Sequence, residues 1–265
     1  MARILGRSDA GPLLDGKVDP AKWTALIPAA GRGTRLGFDK PKILFPVGGA
    51  TILDRLISLL LPLCQEFVFV LSPEGSPIVE PEIRQRLGTR GSIALQPSPR
   101  GMGDAVACGL PQVSTPNVAV IWGDQCALKS PSLDFCMRLL QGQARPAAVC
   151  PTLLRQRPYI HFERDQCDVV MRVLQEREGD SLPSHGESDS GVFFFRTNAV
   201  RRYLSDLLQD GHGIGRSTGE WNFLPVFPLI DAVPGQLFTP RIMSDEESVG
   251  VNSRADVQYL VGRGC

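Results

Sequence analysis

Apolar positions in the first half of the chain follow two alternating patterns. Continuous apolar runs are typical of buried strands, whereas apolar residues three to four positions apart are typical of helices. The patterns predict strands at 23–29, 66–72, 92–96 and 117–122, and helices at 51–61, 81–87, 103–110 and 131–141. This alternation predicts an α/β fold with a doubly wound, mainly parallel mixed sheet, in which ligands bind at the carboxyl ends of the strands.

The second half of the chain is richer in strands. Strands are predicted at 147–154, 159–164, 169–176 and 191–196, and helices at 198–209 and 253–261. Asn198 and Asn252 are the candidate N-caps of these helices. The loops 179–190 and 209–220 are polar and contain glycine. Such loops serve as substrate lids or as plain connectors, and the sequence leaves both roles open.

A loop of mostly small residues follows the first predicted strand. It consists of Ala29, Ala30, Gly31, Arg32 and Gly33. Small side chains let backbone N–H groups approach an anion closely. Arg35 and Lys42 then add positive charge behind the loop. The segment therefore has the composition of a triphosphate-binding site.

Three other interpretations of this loop compete. A dinucleotide fold would place its third glycine one residue before Gly37 and an acidic residue at a strand end, whereas Asp54 lies in a helical pattern. A Walker-type phosphate loop needs Gly-Lys-Ser/Thr directly after the loop, and the sequence lacks it there. A plain strand-to-helix turn explains the glycines but not Arg35, Pro41 and Lys42.

The motif Ala-Ala-Gly-x-Gly-Thr-Arg-Leu at 29–36, followed by Pro41-Lys42, resembles the opening of nucleotidyltransferases that join a nucleoside triphosphate to a sugar phosphate. It is most similar to the uridylyltransferase domain that acts on N-acetylglucosamine-1-phosphate. The resemblance implies a Rossmann-like fold of the glycosyltransferase-A type. It also implies that the loop backbone wraps the triphosphate, while Arg35 and Lys42 neutralise its charge as catalytic residues.

A second segment resembles the base-reading motif of that family. Gln96, Gly101 and Gly103 match its glutamine and the glycines five and seven residues later, and Met102 replaces its threonine or serine. An amide side chain donates and accepts at a base edge, and glycine lets the backbone do the same. The resemblance assigns these residues and Gly123 to nucleotide binding and favours a uridine nucleotide. Alone, the segment would be a turn that caps a helix.

Asp124 follows the predicted strand at 117–122, so its carboxylate lies at the carboxyl end of that strand. Mg²⁺ prefers hard oxygen ligands and is shared with substrate phosphates. The segment 250–256 resembles the family's second metal segment, in which an asparagine or aspartate completes the site. The resemblance therefore implies a Mg²⁺ site at Asp124 and Asn252; a strand-ending turn and a helix N-cap are the structural alternatives.

The acceptor side departs further from the family pattern. In the family, a tyrosine-glycine pair, a glutamate, an Asn-Thr-Gly segment and a Gly/Asn-Glu-Tyr segment line the acceptor pocket. The corresponding residues here are Tyr159, Glu176, Asp189 and Glu220. Gln175 fits the glutamate position as well as Glu176 does. Ile160 and Pro225 stand where the family has a glycine and an acidic residue, so the acceptor is left open.

The composition argues against several other classes of protein. Among 265 residues, Lys plus Arg total 28 and Asp plus Glu total 28, which argues against a basic nucleic-acid-binding surface. No apolar run reaches membrane-spanning length. The three histidines lie far apart and the seven cysteines include no Cys-x-x-Cys pair. We therefore expect no zinc site, and free thiols in a reducing, cytoplasmic compartment.

The expected organisation is one nucleotidyltransferase domain at 23–265 behind a flexible extension at 1–22. Its nucleotide-binding half would span about 23–145 and its acceptor-binding half about 146–265. The sequence contains no hexapeptide repeats, so the acetyltransferase half of bifunctional relatives, with its activity, is not expected. The oligomeric state stays open.

The resemblance implies Mg²⁺-dependent nucleotidyl transfer, in which a sugar-phosphate oxygen attacks the α-phosphorus of UTP and pyrophosphate leaves. The partners would be a nucleoside triphosphate and a phosphorylated small molecule. One alternative is a cytidylyl- or guanylyltransferase acting on a non-sugar phosphate, because 38–42 and Gly48-Gly49 also resemble the molybdopterin guanylyltransferases. The other is a catalytically weak nucleotide-sugar sensor, suggested by the departures at Met102, Ile160, Asp189 and Pro225.

Overall fold

The apolar runs of the chain form strands and its amphipathic segments form helices. The computed structural model describes residues 4–6, 14, 16–31 and 33–265. The strands are β1 (Ile4–Leu5), β2 (Trp23–Pro28), β3 (Pro46–Val47), β4 (Ala50–Thr51), β5 (Glu66–Leu71), β6 (Gly91–Leu95), β7 (Asn117–Ile121), β8 (Ala148–Val149), β9 (Thr152–Gln156), β10 (Ile160–Arg164), β11 (Val170–Gln175), β12 (His185–Asp189), β13 (Val192–Arg196) and β14 (Leu237–Pro240). The helices are α1 (Ile52–Leu60), α2 (Ser76–Leu87), α3 (Met102–Gly109), α4 (Ser130–Gln141), α5 (Thr197–Gln209), α6 (Val226–Asp231) and α7 (Arg254–Gly262).

Eight strands form the central sheet, in the order β1-β14-β8-β13-β7-β2-β5-β6. Strand β13 runs antiparallel to both of its neighbours, and the other neighbouring pairs are parallel. The predicted mainly parallel mixed sheet is confirmed. The strands β2, β5, β6 and β7 therefore end at the same edge, which brings the loops after residues 28, 71, 95 and 121 together.

Helices cover both faces of this sheet. Ala25 and Ile27 of β2 pack into one core with apolar residues of α1, α2, α4 and α7. Leu26, which points the opposite way, packs into a second core with α3, α5 and α6. The predicted doubly wound arrangement is therefore confirmed. Because both faces are covered, the central strands appear in the sequence as continuous apolar runs.

Helix α1 begins with a capping box. The Thr51 hydroxyl accepts from the Asp54 N–H at 3.0 Å, and the Asp54 carboxylate accepts from the Thr51 N–H at 3.1 Å. Asp54 also forms an ion pair with Arg86 of α2. Asp54 therefore belongs to a helix start and not to a strand end, as its helical pattern predicted.

Several predicted boundaries were wrong for local reasons. Helix α2 begins at Ser76 and continues through Pro81, because its buried positions extend back to Val79. Helix α5 has Arg196 as its N-cap, so Asn198 lies inside the first turn. Part of the predicted loop 179–190 is strand β12, which pairs with β9. Helix α6 and strand β14 are only six and four residues long and were not predicted.

The N-terminal segment contributes a short parallel strand, since β1 pairs with β14. Residues 1–3, 7–13 and 15 of the predicted extension lie outside the described residues, so its flexibility and the division into two halves stay predictions. Within the described part of the chain, every helix is too short or too polar to span a membrane.

Candidate active site

The loop after β2 folds back onto Lys42. The Lys42 N–H donates to the Gly31 carbonyl at 3.4 Å. Gly33 has a positive φ of 67°, and a Cβ at this position would lie 2.8 Å from the Lys42 Cβ. Both features require glycine at position 33. This contact fixes the place from which the lysine side chain extends.

The Lys42 ammonium lies between two oxygen atoms from distant parts of the chain. Its Nζ atom is 2.7 Å from Asp124 Oδ2 and 2.9 Å from Asn252 Oδ1. The lysine and aspartate side chains are only 17% and 18% exposed. A carboxylate in this setting needs a cation beside it, because an unpaired, half-buried charge is costly.

The backbone brings Asn252 to Asp124 independently of the lysine. Gln125 and Gly250 form an isolated β-bridge, and the Val251 N–H donates to the Asp124 carbonyl at 3.0 Å. Helix α7 then begins with Ser253 as its N-cap. The interpretation of Asn252 as the N-cap is therefore wrong: its Oδ1 accepts from Lys42, and its Nδ2 donates to the Gly250 carbonyl at 3.3 Å.

Gly123 joins the ends of strands β7 and β2. Its N–H donates to the Pro28 carbonyl at 3.0 Å. A Cβ on Gly123 would lie 2.6 Å from the Pro28 oxygen and 2.9 Å from the Ala29 Cβ. The start of the small-residue loop therefore packs directly against the residue that precedes Asp124.

A cleft of about 470 Å³ opens at this edge of the sheet. Ten of the residues that the sequence analysis assigned to the site line it: Ala29, Gly31, Lys42, Met102, Gly123, Asp124, Tyr159, Glu176, Asp189 and Asn252. They come from both the predicted nucleotide-binding half and the predicted acceptor-binding half. The cleft thus brings the loop, the candidate metal ligands and most of the candidate acceptor residues together.

Other predicted residues lie beside the cleft. Ala30 and Gly31 line a second cavity of about 270 Å³. Arg35 is exposed in the short helix Thr34–Leu36, and Arg32 lies outside the described residues. The lining of the cleft also lacks Gly33, Gln96, Gly101, Gly103 and Glu220.

The predicted base-reading segment packs against the second half of the chain. The Gly103 N–H donates to the Trp221 carbonyl at 2.8 Å, and the Trp221 N–H donates to the Arg100 carbonyl at 2.6 Å. The backbone donor of Gly103 is thus already used. A role for Gly101 and Gly103 in base recognition stays a prediction.

Asp189 is the most unusual of the candidate acceptor residues. Its side chain is 5% exposed, and its Oδ2 accepts from the Gly191 N–H at 2.9 Å. Its Oδ1 has no hydrogen-bond partner among the described residues. Burial raises the pKa of Asp189, and the Gly191 N–H opposes that rise. The Oδ1 atom is sealed from solvent, so it is an exception to the usual pairing of buried polar atoms.

Both residues that matched the family's glutamate position face the cleft, since Gln175 and Glu176 line it. Gln175 is buried, whereas Glu176 is exposed. Tyr159 is 49% exposed, so its ring is not part of the apolar core. Its carbonyl accepts from the Glu176 N–H at 3.0 Å, which links two acceptor candidates through the backbone.

The sequence analysis missed a polar cluster beside the candidate acceptor residues. Glu178 accepts from the Thr218 hydroxyl at 2.6 Å, from Asn222 Nδ2 at 3.2 Å and from the Ser217 N–H at 3.0 Å. Arg177 donates to Glu220 at 3.0 Å and contacts Asn222, and both Arg177 and Asn222 line the cleft. No motif marks these residues, because their partners lie about forty positions away.

The hydrogen bonds to Glu178 control its ionisation. Burial alone would raise the pKa of Glu178. The side-chain donors Thr218 and Asn222, with the backbone N–H groups of Ser217 and Thr218, outweigh burial and lower that pKa to about 2. Through these hydrogen bonds, the ionised Glu178 carboxylate holds the segment 217–222 in place.

The donor set at the cleft suits a magnesium ion that is shared with phosphates. Among the described residues, no group of three or more His, Cys, Asp or Glu side chains is arranged to hold a metal by itself. Asp124 Oδ2 and Asn252 Oδ1 nevertheless converge on one cation, the Lys42 ammonium. Two protein oxygens match Mg²⁺, which binds through one or two carboxylates plus phosphate and water oxygens.

The fold and the glycine-rich loop define a nucleotidyltransferase domain, and comparison with known families agrees. Residues 25–189 match the family described as the MobA-like NTP transferase domain, and the chain belongs to it. The confirmed resemblance covers the first loop, the predicted base-reading segment, Asp124 and the acceptor candidates as far as Asp189.

Curated relatives at about 30% identity carry the name "Bifunctional protein GlmU". Those of Mycobacterium marinum and Mycobacterium ulcerans are each 30% identical over 247 residues, covering 89% of this chain and 48% of the relative. That of Mycobacterium tuberculosis is 30% identical over 198 residues, covering 71% of this chain and 40% of the relative. The chain thus spans about half the length of the curated relatives it matches.

Replacing Gly123 tests the contact between the ends of β7 and β2. We expect Gly123→Ala to weaken triphosphate binding about tenfold or more, because the added Cβ collides with backbone atoms that start the loop. Titration calorimetry with a triphosphate and Mg²⁺ measures the change. The matched control is Gly262→Ala, where the structure has no atom within 4 Å. Unchanged affinity in Gly123→Ala would contradict the assignment of this contact to the nucleotide site.

The pKa of Glu178 predicts a pH-dependent stability. A carboxyl whose folded pKa is lowered from 4.5 to about 2 stabilises the fold above pH 4.5 and loses that contribution as the pH falls towards 2. We expect Glu178→Gln to lower the free energy of unfolding by about 1–3 kcal/mol at neutral pH. The difference from wild type should narrow below pH 4.5.

Urea unfolding at several pH values measures this difference. The control Glu220→Gln changes the partly exposed partner of Arg177, where a loss below about 1 kcal/mol is expected. A Glu178→Gln difference that stays constant down to pH 3 would show that the charge of Glu178 is unimportant.

Proposed function

We propose that this chain transfers a nucleotidyl group from a nucleoside triphosphate, preferably UTP, to a sugar phosphate, with Mg²⁺ and release of pyrophosphate. The observation that carries the proposal is the position of the Lys42 ammonium between Asp124 Oδ2 and Asn252 Oδ1, beside a backbone loop that suits an anion. A cation and two oxygen ligands at the end of such a loop form a site for phosphate and metal together.

The proposed chemistry needs positioning and charge stabilisation but no covalent enzyme intermediate. The loop backbone at Ala29, Ala30 and Gly31 would hold the phosphate chain. Lys42 and Arg35 would neutralise its charge. Asp124 and Asn252 would hold Mg²⁺, which when bound supplies positive charge that polarises the reacting phosphate.

The acceptor is proposed to bind at the other end of the cleft. Tyr159, Glu176 and Asp189 line that end, and Glu220 lies behind it in contact with Arg177. Because Asp189 lines the cleft, its carboxylate is the proposed contact for a donor group of the acceptor. A sugar phosphate is our first choice through the resemblance, and we place the reaction in the cytoplasm.

A second candidate is a cytidylyl- or guanylyltransferase that acts on a non-sugar phosphate or a molybdopterin-type cofactor. The family match, whose description is MobA-like, favours keeping it. The sensor hypothesis is weaker, because a module that only binds nucleotide-sugars has no need for Lys42, Asp124 and Asn252 around one phosphate.

Pyrophosphate release tests the reaction directly. UTP, CTP, GTP, ATP and dTTP are crossed with sugar and alcohol phosphates in the presence of Mg²⁺, and chelation with EDTA serves as the metal control. We expect release with UTP and a sugar phosphate, lost on chelation. Release only with GTP or CTP and a non-sugar phosphate would support the second candidate. Triphosphate binding without turnover across the panel would support the sensor.

Lys42→Ala separates chemistry from binding. We expect turnover to fall about 10²–10³-fold while triphosphate affinity falls much less, because the charge acts most strongly on the transition state. Lys22→Ala is the control, since Lys22 pairs only with exposed Asp19 among the described residues. Wild-type turnover in Lys42→Ala would contradict the proposed role of Lys42.

A further inference from the structure

The Gln96 amide is held in one orientation at the carboxyl end of β6. The residue is 5% exposed. Its Nε2 donates to the Gly101 carbonyl at 3.0 Å and to Asp104 Oδ2 at 2.9 Å. Because both partners are acceptors, the amide nitrogen has to face them and the oxygen has to face away. Both N–H bonds of the amide are thereby used.

The Gln96 oxygen is left for a ligand. No described residue donates to Oε1, and this atom is not among the side-chain oxygens that are sealed from solvent without a partner. Gln96 therefore presents a single acceptor, although a free amide would offer a donor as well.

Asp104 maintains this orientation. Its side chain is 9% exposed and lies in the first turn of α3. Its Oδ1 accepts from Arg100 Nη2 at 2.7 Å, while its Oδ2 faces Gln96. An ionised carboxylate has no donor, so it cannot exchange roles with the amide.

We propose that Asp104 is a positioning residue that sets base selection through Gln96. With only Oε1 presented, the site selects bases that carry a ring N–H on their pairing edge, uracil and guanine, over cytosine and adenine. The ring N–H of uracil or guanine donates to Oε1. Cytosine and adenine place a bare ring nitrogen at that position and can donate only from the neighbouring amino group, which requires the base to shift. The inference rests on the proposed function, in which Gln96 contacts the base.

Calorimetric binding of UTP and CTP with Mg²⁺ tests this without an acceptor substrate. These pyrimidines differ at the relevant edge. We expect wild type to bind UTP about tenfold or more tightly than CTP. Asp104→Leu should remove most of this preference. Asp104→Asn should weaken it as well, because its single oxygen faces two donors, Gln96 Nε2 and Arg100 Nη2, and its amide nitrogen can exchange roles with Gln96.

Two further variants complete the design. Arg100→Ala removes the exposed partner of Asp104 and should keep the preference. Gln96→Leu removes Oε1 together with the hydrogen bond to Asp104 but leaves the sequence of α3 and the Arg100–Asp104 ion pair in place, and it should abolish the preference even if Asp104→Leu fails to fold. An unchanged UTP/CTP ratio in Gln96→Leu or in folded Asp104→Leu overturns the inference.

Binding by the wild-type protein distinguishes a failure of base selection from a failure of the proposed function. A wild type that binds both pyrimidine triphosphates equally overturns base selection through Gln96 and the preference for UTP, but it leaves nucleotidyl transfer standing. A wild type that binds neither triphosphate contradicts the proposed function, and the inference with it.

Discussion

The charge balance at one carboxylate constrains the rest of the cleft. Asp124 is only 18% exposed and requires a cation, which Lys42 supplies from 82 residues away in sequence. The backbone bridge between Gln125 and Gly250 positions Asn252 at the same point. Asp124 Oδ2 and Asn252 Oδ1 are therefore already in place beside each other before a metal ion binds. If a metal ion takes the position between these two oxygens, the Lys42 ammonium becomes available to a phosphate. The same arrangement of oxygens thus suits either cation, the lysine or the metal.

The fold was largely predictable because burial leaves a direct trace in the sequence. Strands covered on both faces are continuous apolar runs, and helices such as α1 and α4 show the apolar spacing of an amphipathic helix. The boundaries failed where another interaction decided them. Pro81 suggested a helix start but lies inside α2, and β12 pairs with β9 across a segment whose polar composition suggested a loop.

Those parts of the site that depend on neighbouring residues in the sequence were predictable, and those that depend on distant residues were not. The small-residue loop and Asp124 follow strand ends, so their meeting follows from a parallel sheet. Asn252 was reachable only through a family resemblance, since nothing nearby in sequence points to Lys42. The cluster around Glu178 was missed altogether. Its donors at 217–222 are brought together by tertiary structure, and the buried glutamate has no distinctive neighbours in the chain.

The segment around Trp221 contacts both the predicted base-reading segment and the cluster around Glu178. Its backbone pairs with Arg100 and Gly103 at the predicted base-reading segment, and the next residue, Asn222, contacts Arg177 and Glu178 at the acceptor end. A residue that shifts this segment therefore acts on both ends at once. Gln96 and Asp104 instead form their contacts within a single strand-to-helix turn. Under the proposed function, base selection is therefore set locally, whereas acceptor selection depends on contacts spread over the second half of the chain.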